Sequence, residues 1–287
     1  MPKQDFKIGA DPEFALVTRR DHLKFASQVF KGDVNGQFGL DGSDGVMELR
    51  PTPAYDPIDL VKNIRSAMIS GVMSNKSVVG YNWKAGSASD HEPTGGHIHF
   101  GTKECSPPVS IRSVKPLDVF LTQTILLIEE PSEAIIRRQS SGYGEFGDYR
   151  QQSHGIEYRS LGSWLTSPYI AAGVLCLAKA IMYDMVNNEL SASSIPASSC
   201  MFSRDFLEVN RKVALDKFKI NWPLIQKMEL YPKYKGYIDF IKLLIDNNKT
   251  WYPSCGMKAA WGLTLSKEKP LSNKSIPMVV FNDIWEL

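Results

Sequence analysis

Four short stretches of this chain place titratable side chains two residues apart. Asp11 and Glu13 stand in Ala-Asp-Pro-Glu-Phe, and Glu48 and Arg50 in Met-Glu-Leu-Arg-Pro. His97 and His99 stand in Gly-Gly-His-Ile-His-Phe-Gly, and Glu157 and Arg159 in Gly-Ile-Glu-Tyr-Arg-Ser. Residues i and i+2 of a β-strand point to the same face. One such strand is an ordinary amphipathic strand with a wet face. Four of them carry Glu, His and Arg where solvent faces carry Lys, Thr, Ser and Gln, and they read as a set that converges. Carboxylates are the hard oxygen ligands of magnesium or manganese, and a neutral imidazole tilts such a site toward tolerance of manganese. Arginine adds forked donors for phosphoryl oxygens. Such a face suits a nucleoside triphosphate held by a divalent metal.

Taken singly, each residue has a plainer reading. Asp11 before Pro12 suits a turn, Glu13 a buried ion pair with an arginine, and Arg50 a partner for a carboxylate. The glycines flanking His97 and His99 leave room for a ligand to approach. Asp41 and Asp44, in Gly-Leu-Asp-Gly-Ser-Asp-Gly, read as turn formers. His22, His91 and His154 carry no assignment. Residues 142–147, Gly-Tyr-Gly-Glu-Phe-Gly, have the form GxGxxG, but no apolar strand precedes them and no helical pattern follows, as a dinucleotide fold requires. They read as a flexible loop that carries Arg150 towards phosphates, while Arg137 and Arg138 flank the same site or end a helix.

The elements that must hold these residues follow from periodicity. Strands are expected over 6–17, 45–50, 96–101 and 155–161, with a last one at 278–281. Leu60, Val61, Ile64, Met68 and Val72 have helical spacing, which predicts a helix over 55–73 with Asp56 as N-cap and Pro57 in its first turn. A helix over 117–130 should end near Pro131. After residue 167 the segments 170–190, 205–219 and 234–248 read as helices. A catalytic part, 1–167, and a mainly helical part, 168–287, packed into the same domain, are therefore expected.

The composition narrows the class. Of 287 residues, 43% are hydrophobic and 22% charged, as in ordinary globular proteins, and the formal charge of +2 points to neither nucleic acid nor membrane. Cys105, Cys176, Cys200 and Cys255 form no CxxC pair, which argues against a zinc ribbon or a disulfide framework. The first residues show no signal pattern. The apolar stretch 169–186 is interrupted by Lys179 and Asp184 and reads as a buried helix. A cytoplasmic protein is expected.

The ordered segments Asp-Pro-Glu-Phe, Met-Glu-Leu-Arg-Pro and Gly-Gly-His-Ile-His-Phe-Gly resemble the phage-type COOH–NH2 ligase family. A fourth segment runs from Arg138 through Tyr143-Gly144, Gly147 and Tyr149-Arg150 to Glu157-Tyr158-Arg159. That family belongs to the amidoligases of the glutamine synthetase and glutamate–cysteine ligase superfamily, and the likeness covers roughly the first 165 residues. It implies an α+β fold: a twisted, mainly antiparallel sheet with a concave catalytic face and outer helices, followed by C-terminal helices. By the same resemblance Glu13, Glu48, His97 and Glu157 bind metal, joined by Asp11 where glutamine synthetases carry another glutamate. His99, Arg150, Arg159 and Arg138 would contact ATP, with Arg150 and Arg159 stabilising the transferring phosphoryl group.

The implied activity is ATP-dependent joining of a carboxylate to an amine through an acyl phosphate, with ATP and Mg2+ or Mn2+ as cofactors. The substrates would be a small-molecule or peptide carboxylate and an amine, with specificity set after residue 167. The enzyme would work in the host cytoplasm if phage-encoded, as an oligomer if its site is shared between subunits. Three alternatives stay open. His-x-His also serves metal-dependent hydrolases, although here only His154 follows it. A phosphotransferase could use the same fold, and a degenerate relative could merely bind, although no member of the set is missing.

Overall fold

The longest strand, β1 (Ile8–Val17), organises the molecule. Around it lie β2 (Leu23–Lys24), β3 (Phe38–Leu40), β4 (Met47–Leu49), β5 (Asn82–Lys84), the hairpin β6 (Ala88–Ser89) and β7 (Glu92–Pro93), β8 (Gly96–Gly101), β9 (Tyr149–Gln152) and β10 (Gly155–Tyr158). The computed structural model describes residues 3–42, 45–101, 114–188, 190–252 and 256–263. The strand expected at 278–281, together with Asp44, Cys105 and Cys255, lies outside the described residues.

The main sheet runs in the order β3-β4-β1-β8-β10-β9, with β2 and β5 pairing the far end of β1. Every pairing is antiparallel, so residues opposite one another share a face. Glu13 lies opposite Glu48, Asp11 opposite His97, His99 opposite Glu157, and Glu157 opposite Arg150. The register alone therefore puts the charged residues on one face. The other face, with Ile8, Phe14, Met47, Ile98, Phe100 and Ile156, is buried and apolar.

The Asp-Pro dipeptide forms no turn. Pro12 sits inside β1 opposite Gly96. Glu13 donates its N–H towards the β8 side, to Gly95 O, so the nitrogen of Pro12 faces the other side, where pairing with β4 begins only at Glu13. The missing proline N–H thus costs the ladder no bond.

Helices cover the apolar face. The four long ones are α1 (Pro57–Ser74), α2 (Pro168–Asn187), α3 (Arg211–Ile225) and α4 (Tyr231–Asp246). Asp56 and Ser167 cap α1 and α2 by accepting the N–H groups of Ile58 and Ile170, each with proline in the first turn. By length and composition α2 could cross a membrane, but most of it is buried between α1 and α4. Its Lys179 is buried too: Nζ donates to Asp5 Oδ1 and Phe6 O, both at 2.5 Å, and rests on the Phe6 ring.

Between β8 and β9 the chain takes two π-helical turns, Leu117–Thr122 and Ile136–Ser140. Pro131 opens a further helix, Pro131–Ile135, rather than only closing the previous one, because its ring fits the first turn. The wider π turn lets Asp118 and Thr122 both reach the hydroxyl of Tyr158, at 2.7 and 2.6 Å. Asp118 Oδ1 also accepts the N–H of Gly147 at 3.0 Å. One buried carboxylate thereby ties the helical layer to β10 and to the loop before β9.

Burial pushes the Asp118 carboxyl up from 3.8 to about 6, against the pull of its hydrogen bonds. The folded chain then holds a proton that the unfolded chain has released, so ionisation of this group erodes stability as pH rises from 4 to 7. The shift corresponds to about 3 kcal/mol. Chemical denaturation of wild type and Asp118→Asn at pH 4 and pH 7 should show the wild type losing most of that amount, about 2 kcal/mol, relative to the variant at the higher pH. An equal difference at both pH values would exclude the linkage.

Candidate active site

Glu13, Glu48, His97 and Glu157 are only 4%, 6%, 5% and 2% exposed, with Asp11 and His99 half-buried at the rim. Asp11, His97 and Glu157 each offer a ligand atom, and the three atoms lie within 4.8 Å of one another. His97 Nδ1 is 3.4 Å from Asp11 Oδ1 and 3.6 Å from Glu157 Oε1. His99 Nε2 stands 3.0 Å from Asp11 Oδ1, and its Nδ1 is 3.1 Å from His154 Nε2. Glu13 Oε2 accepts the Gly95 N–H at 2.7 Å, while Oε1 lies 3.9 Å from His97 Nε2. Glu48 pairs with Arg50, which also donates to the carbonyls of Val34, Gly36 and Leu40 and so clips the segment leading into β3.

The electrostatics of this face are those of a cation site. Burial pushes Glu13 up, and nearby Asp41 adds like charge. Burial also opposes ionisation of Asp11, but the His97 and His99 imidazoles outweigh it and hold that carboxyl below the ordinary range. For His97, burial works against the charged form, yet Asp11 and Glu13 hold it above the usual imidazole range. Buried carboxylates need counter-charge. Oxygen donors with one imidazole fit magnesium or manganese.

The arginines divide into three kinds. Arg159 is braced: Nε is 3.2 Å from Glu157 Oε1, Nη1 is 3.6 Å from Asp148 Oδ1, and Nη2 donates to Tyr143 Oη at 2.5 Å. Arg150 reaches over from β9 with its side chain 56% exposed and Nη1 3.5 Å from Glu157 Oε2. Arg138 does not join the cluster, contrary to the expectation that it contacts nucleotide. Its Nη2 donates to buried Glu129 at 2.6 Å and its guanidinium stacks on Phe206 at 4.3 Å. The reason lies in the π turn 136–140, which directs the two adjacent arginines to different partners. Arg137 donates to the carbonyls of Thr94, Arg159 and Leu161 and stacks on Tyr143 at 4.4 Å.

The GxGxxG segment is a pinned loop, not a flexible one. Gly142, Gly144 and Gly147 have φ of +63°, +79° and +76°, which favour glycine. Gly144 N–H donates to Asp148 Oδ2, and Glu145 O accepts from Ser160 Oγ. What the loop delivers is Tyr143, whose Oη is 2.8 Å from His97 Nε2.

The model of the family described as phage phiEco32-like COOH.NH2 ligase-type 2 matches residues 8–263. The chain belongs to this family. No curated protein matches it. Among solved structures it is similar to the ligase PafA in complex with the prokaryotic ubiquitin-like protein Pup, with TM-score 0.55 and 9% identity over 90% of this chain and 65% of that one. It is also similar to ligand-free GmaS, with TM-score 0.50 and 12% identity over 96% of this chain and 73% of that one. At these identities the likeness is one of fold, an α+β architecture with an antiparallel sheet, as expected. The chain spans 65% of the length of the PafA chain.

Three residues at this candidate site carry no assigned role in the sequence. Gln152 donates to Glu157 Oε2 at 2.6 Å, and the i, i+2 rule applied to Arg150 would have found it. Asp41 reads in the sequence as a turn former. Tyr143 lies in the resembling segment, which assigns it no role and no contact with His97.

Gly95 explains one glycine of the His-x-His motif: a Cβ there would lie 2.4 Å from His97 Nε2. The space serves the ring rather than an incoming ligand. Gly95→Ala should therefore displace His97 and weaken Mn2+ binding roughly 10-fold, as perturbed ligand support generally does. Titration calorimetry measures this, and an unchanged affinity would remove His97 from the ligand set.

Proposed function

We propose that the chain uses ATP to join a carboxylate to an amine, with magnesium or manganese held by Asp11, His97 and Glu157 and by the adjoining Glu13 and Glu48. The carrying observation is the buried three-donor cluster inside a wider acidic face bordered by arginines. Membership of a COOH.NH2 ligase family supports the same reading. A metal bound there would supply positive charge against the triphosphate and the transferring phosphoryl group. His99, Arg150 and Arg159 border the cluster and hold phosphate oxygens. Arg150 is the mobile member, since an exposed guanidinium can leave Glu157 at small cost. Arg159 keeps Glu157 aligned.

The substrate carboxylate attacks the γ-phosphorus and displaces ADP, giving an acyl phosphate. The amine then attacks the acyl carbon, an amide forms and phosphate leaves. No protein nucleophile is needed, and the buried floor of the site keeps water from the acyl phosphate. The carboxylate and amine belong to small molecules or peptides. The described residues up to 167 form the catalytic part, and the helices α2, α3 and α4 after it belong to the same domain. Work in the cytoplasm of a phage-infected host accords with the family's name and with Cys176 and Cys200 being unpaired.

Incubation with ATP, Mg2+ or Mn2+, and pools of amino acids, polyamines and peptides should release ADP and phosphate with one pool and yield a product carrying a new amide. Glu157→Ala should lower turnover on the order of 10³-fold. Near-normal turnover in that variant would refute the site, and a phosphorylated product without an amide would make the enzyme a phosphotransferase.

A further inference from the structure

Neutral imidazole has one protonated and one bare nitrogen, and a metal can take only the bare one. His97 turns Nδ1 toward Asp11 and Glu157, so Nδ1 is the nitrogen of the candidate metal cluster. A coordinating histidine then carries its proton on Nε2 and needs an acceptor there. Glu13 Oε1, at 3.9 Å, is beyond hydrogen-bond reach, whereas Tyr143 Oη is at 2.8 Å.

The direction of that bond follows the His97 tautomer: with Nδ1 bare toward Asp11 and Glu157, Nε2 carries the proton and Tyr143 Oη is the acceptor in reach, the same oxygen that accepts from Arg159 Nη2 at 2.5 Å. Two guanidiniums lie against the ring, Arg137 at 4.4 Å and Arg159 at 4.9 Å from its centroid, and the Tyr143 backbone N–H donates to Arg137 O. A Cβ on Gly144 would meet Arg137 Nε at 2.7 Å, so the loop closes down on that stack. Tyr143 is thus held by groups other than His97 and can impose an orientation on it.

We propose that Tyr143 is a positioning residue for the metal centre: by accepting the Nε2–H of His97 it selects the tautomer that presents a bare Nδ1 alongside Asp11 and Glu157. The inference rests on the metal-dependent reading of the site. It makes Tyr143 the link between the braced Arg159 and the ligand set, so that one phenol aligns His97 while the same arginine aligns Glu157.

The test is a double-mutant cycle on Mn2+ affinity, measured by calorimetry on the full chain for wild type, Tyr143→Phe, His97→Ala and the double variant. Tyr143→Phe keeps the ring in its stack and should leave the thermal midpoint near wild type. It should weaken Mn2+ roughly 10- to 100-fold and have almost no effect when His97 is already alanine. Imidazole 15N NMR of the Mg2+-bound wild type should in parallel show the His97 proton on Nε2. An unchanged affinity in Tyr143→Phe, an equal loss in the His97→Ala background, or a proton on Nδ1 would each overturn the inference while leaving the ligase reading standing. Wild-type protein that binds no Mn2+ would overturn both.

Discussion

Asp11, Glu13, Glu48 and Glu157 share one face of a sheet, and the cost of holding carboxylates away from water there is the constraint to which the rest of the structure responds. The fold answers each carboxylate separately. Arg50 meets Glu48, the Gly95 N–H meets Glu13, two histidines meet Asp11, and Arg159, Arg150 and Gln152 surround Glu157. Asp11, His97 and Glu157 keep one ligand atom each within 4.8 Å of one another.

Such a face is tolerable only because its reverse side is apolar. Strict alternation along β1, β8 and β10 sends every second residue into a core closed by α1, α2 and the helical turns 114–125. Asp118 is one buried polar group behind the sheet, and it ties the two layers together: it bonds Tyr158, the residue after Glu157, and the loop that carries Tyr143. The position of the catalytic face is thus set in part from the opposite side of the sheet.

Arginine illustrates how one residue type is put to different uses. Arg50 and Arg137 bind carbonyls and hold chain segments together. Arg138 neutralises a glutamate in the helical layer. Arg159 braces Glu157, and Arg150 stays accessible. Burial and local backbone course separate these roles, and residue type does not.

Much of the fold and site was legible in the sequence. Two-residue spacing placed Asp11 and Glu13, His97 and His99, and Glu157 and Arg159 on strands, and the resemblance ordered those strands into a site. Caps at Asp56 and the apolar spacing after it marked α1. These features are local, governed by alternation and capping within a few residues. Register, π turns and loop anchoring are not local. The course of Arg138 away from the cluster, the approach of Asp41, and the seating of Tyr143 on His97 depend on segments tens of residues apart meeting at fixed distances. The sequence by itself therefore determined which side chains share the acidic face. Only the tertiary structure decided how the histidine among them is held, because hydrogen bonds between distant segments, and not strand periodicity, orient a ring.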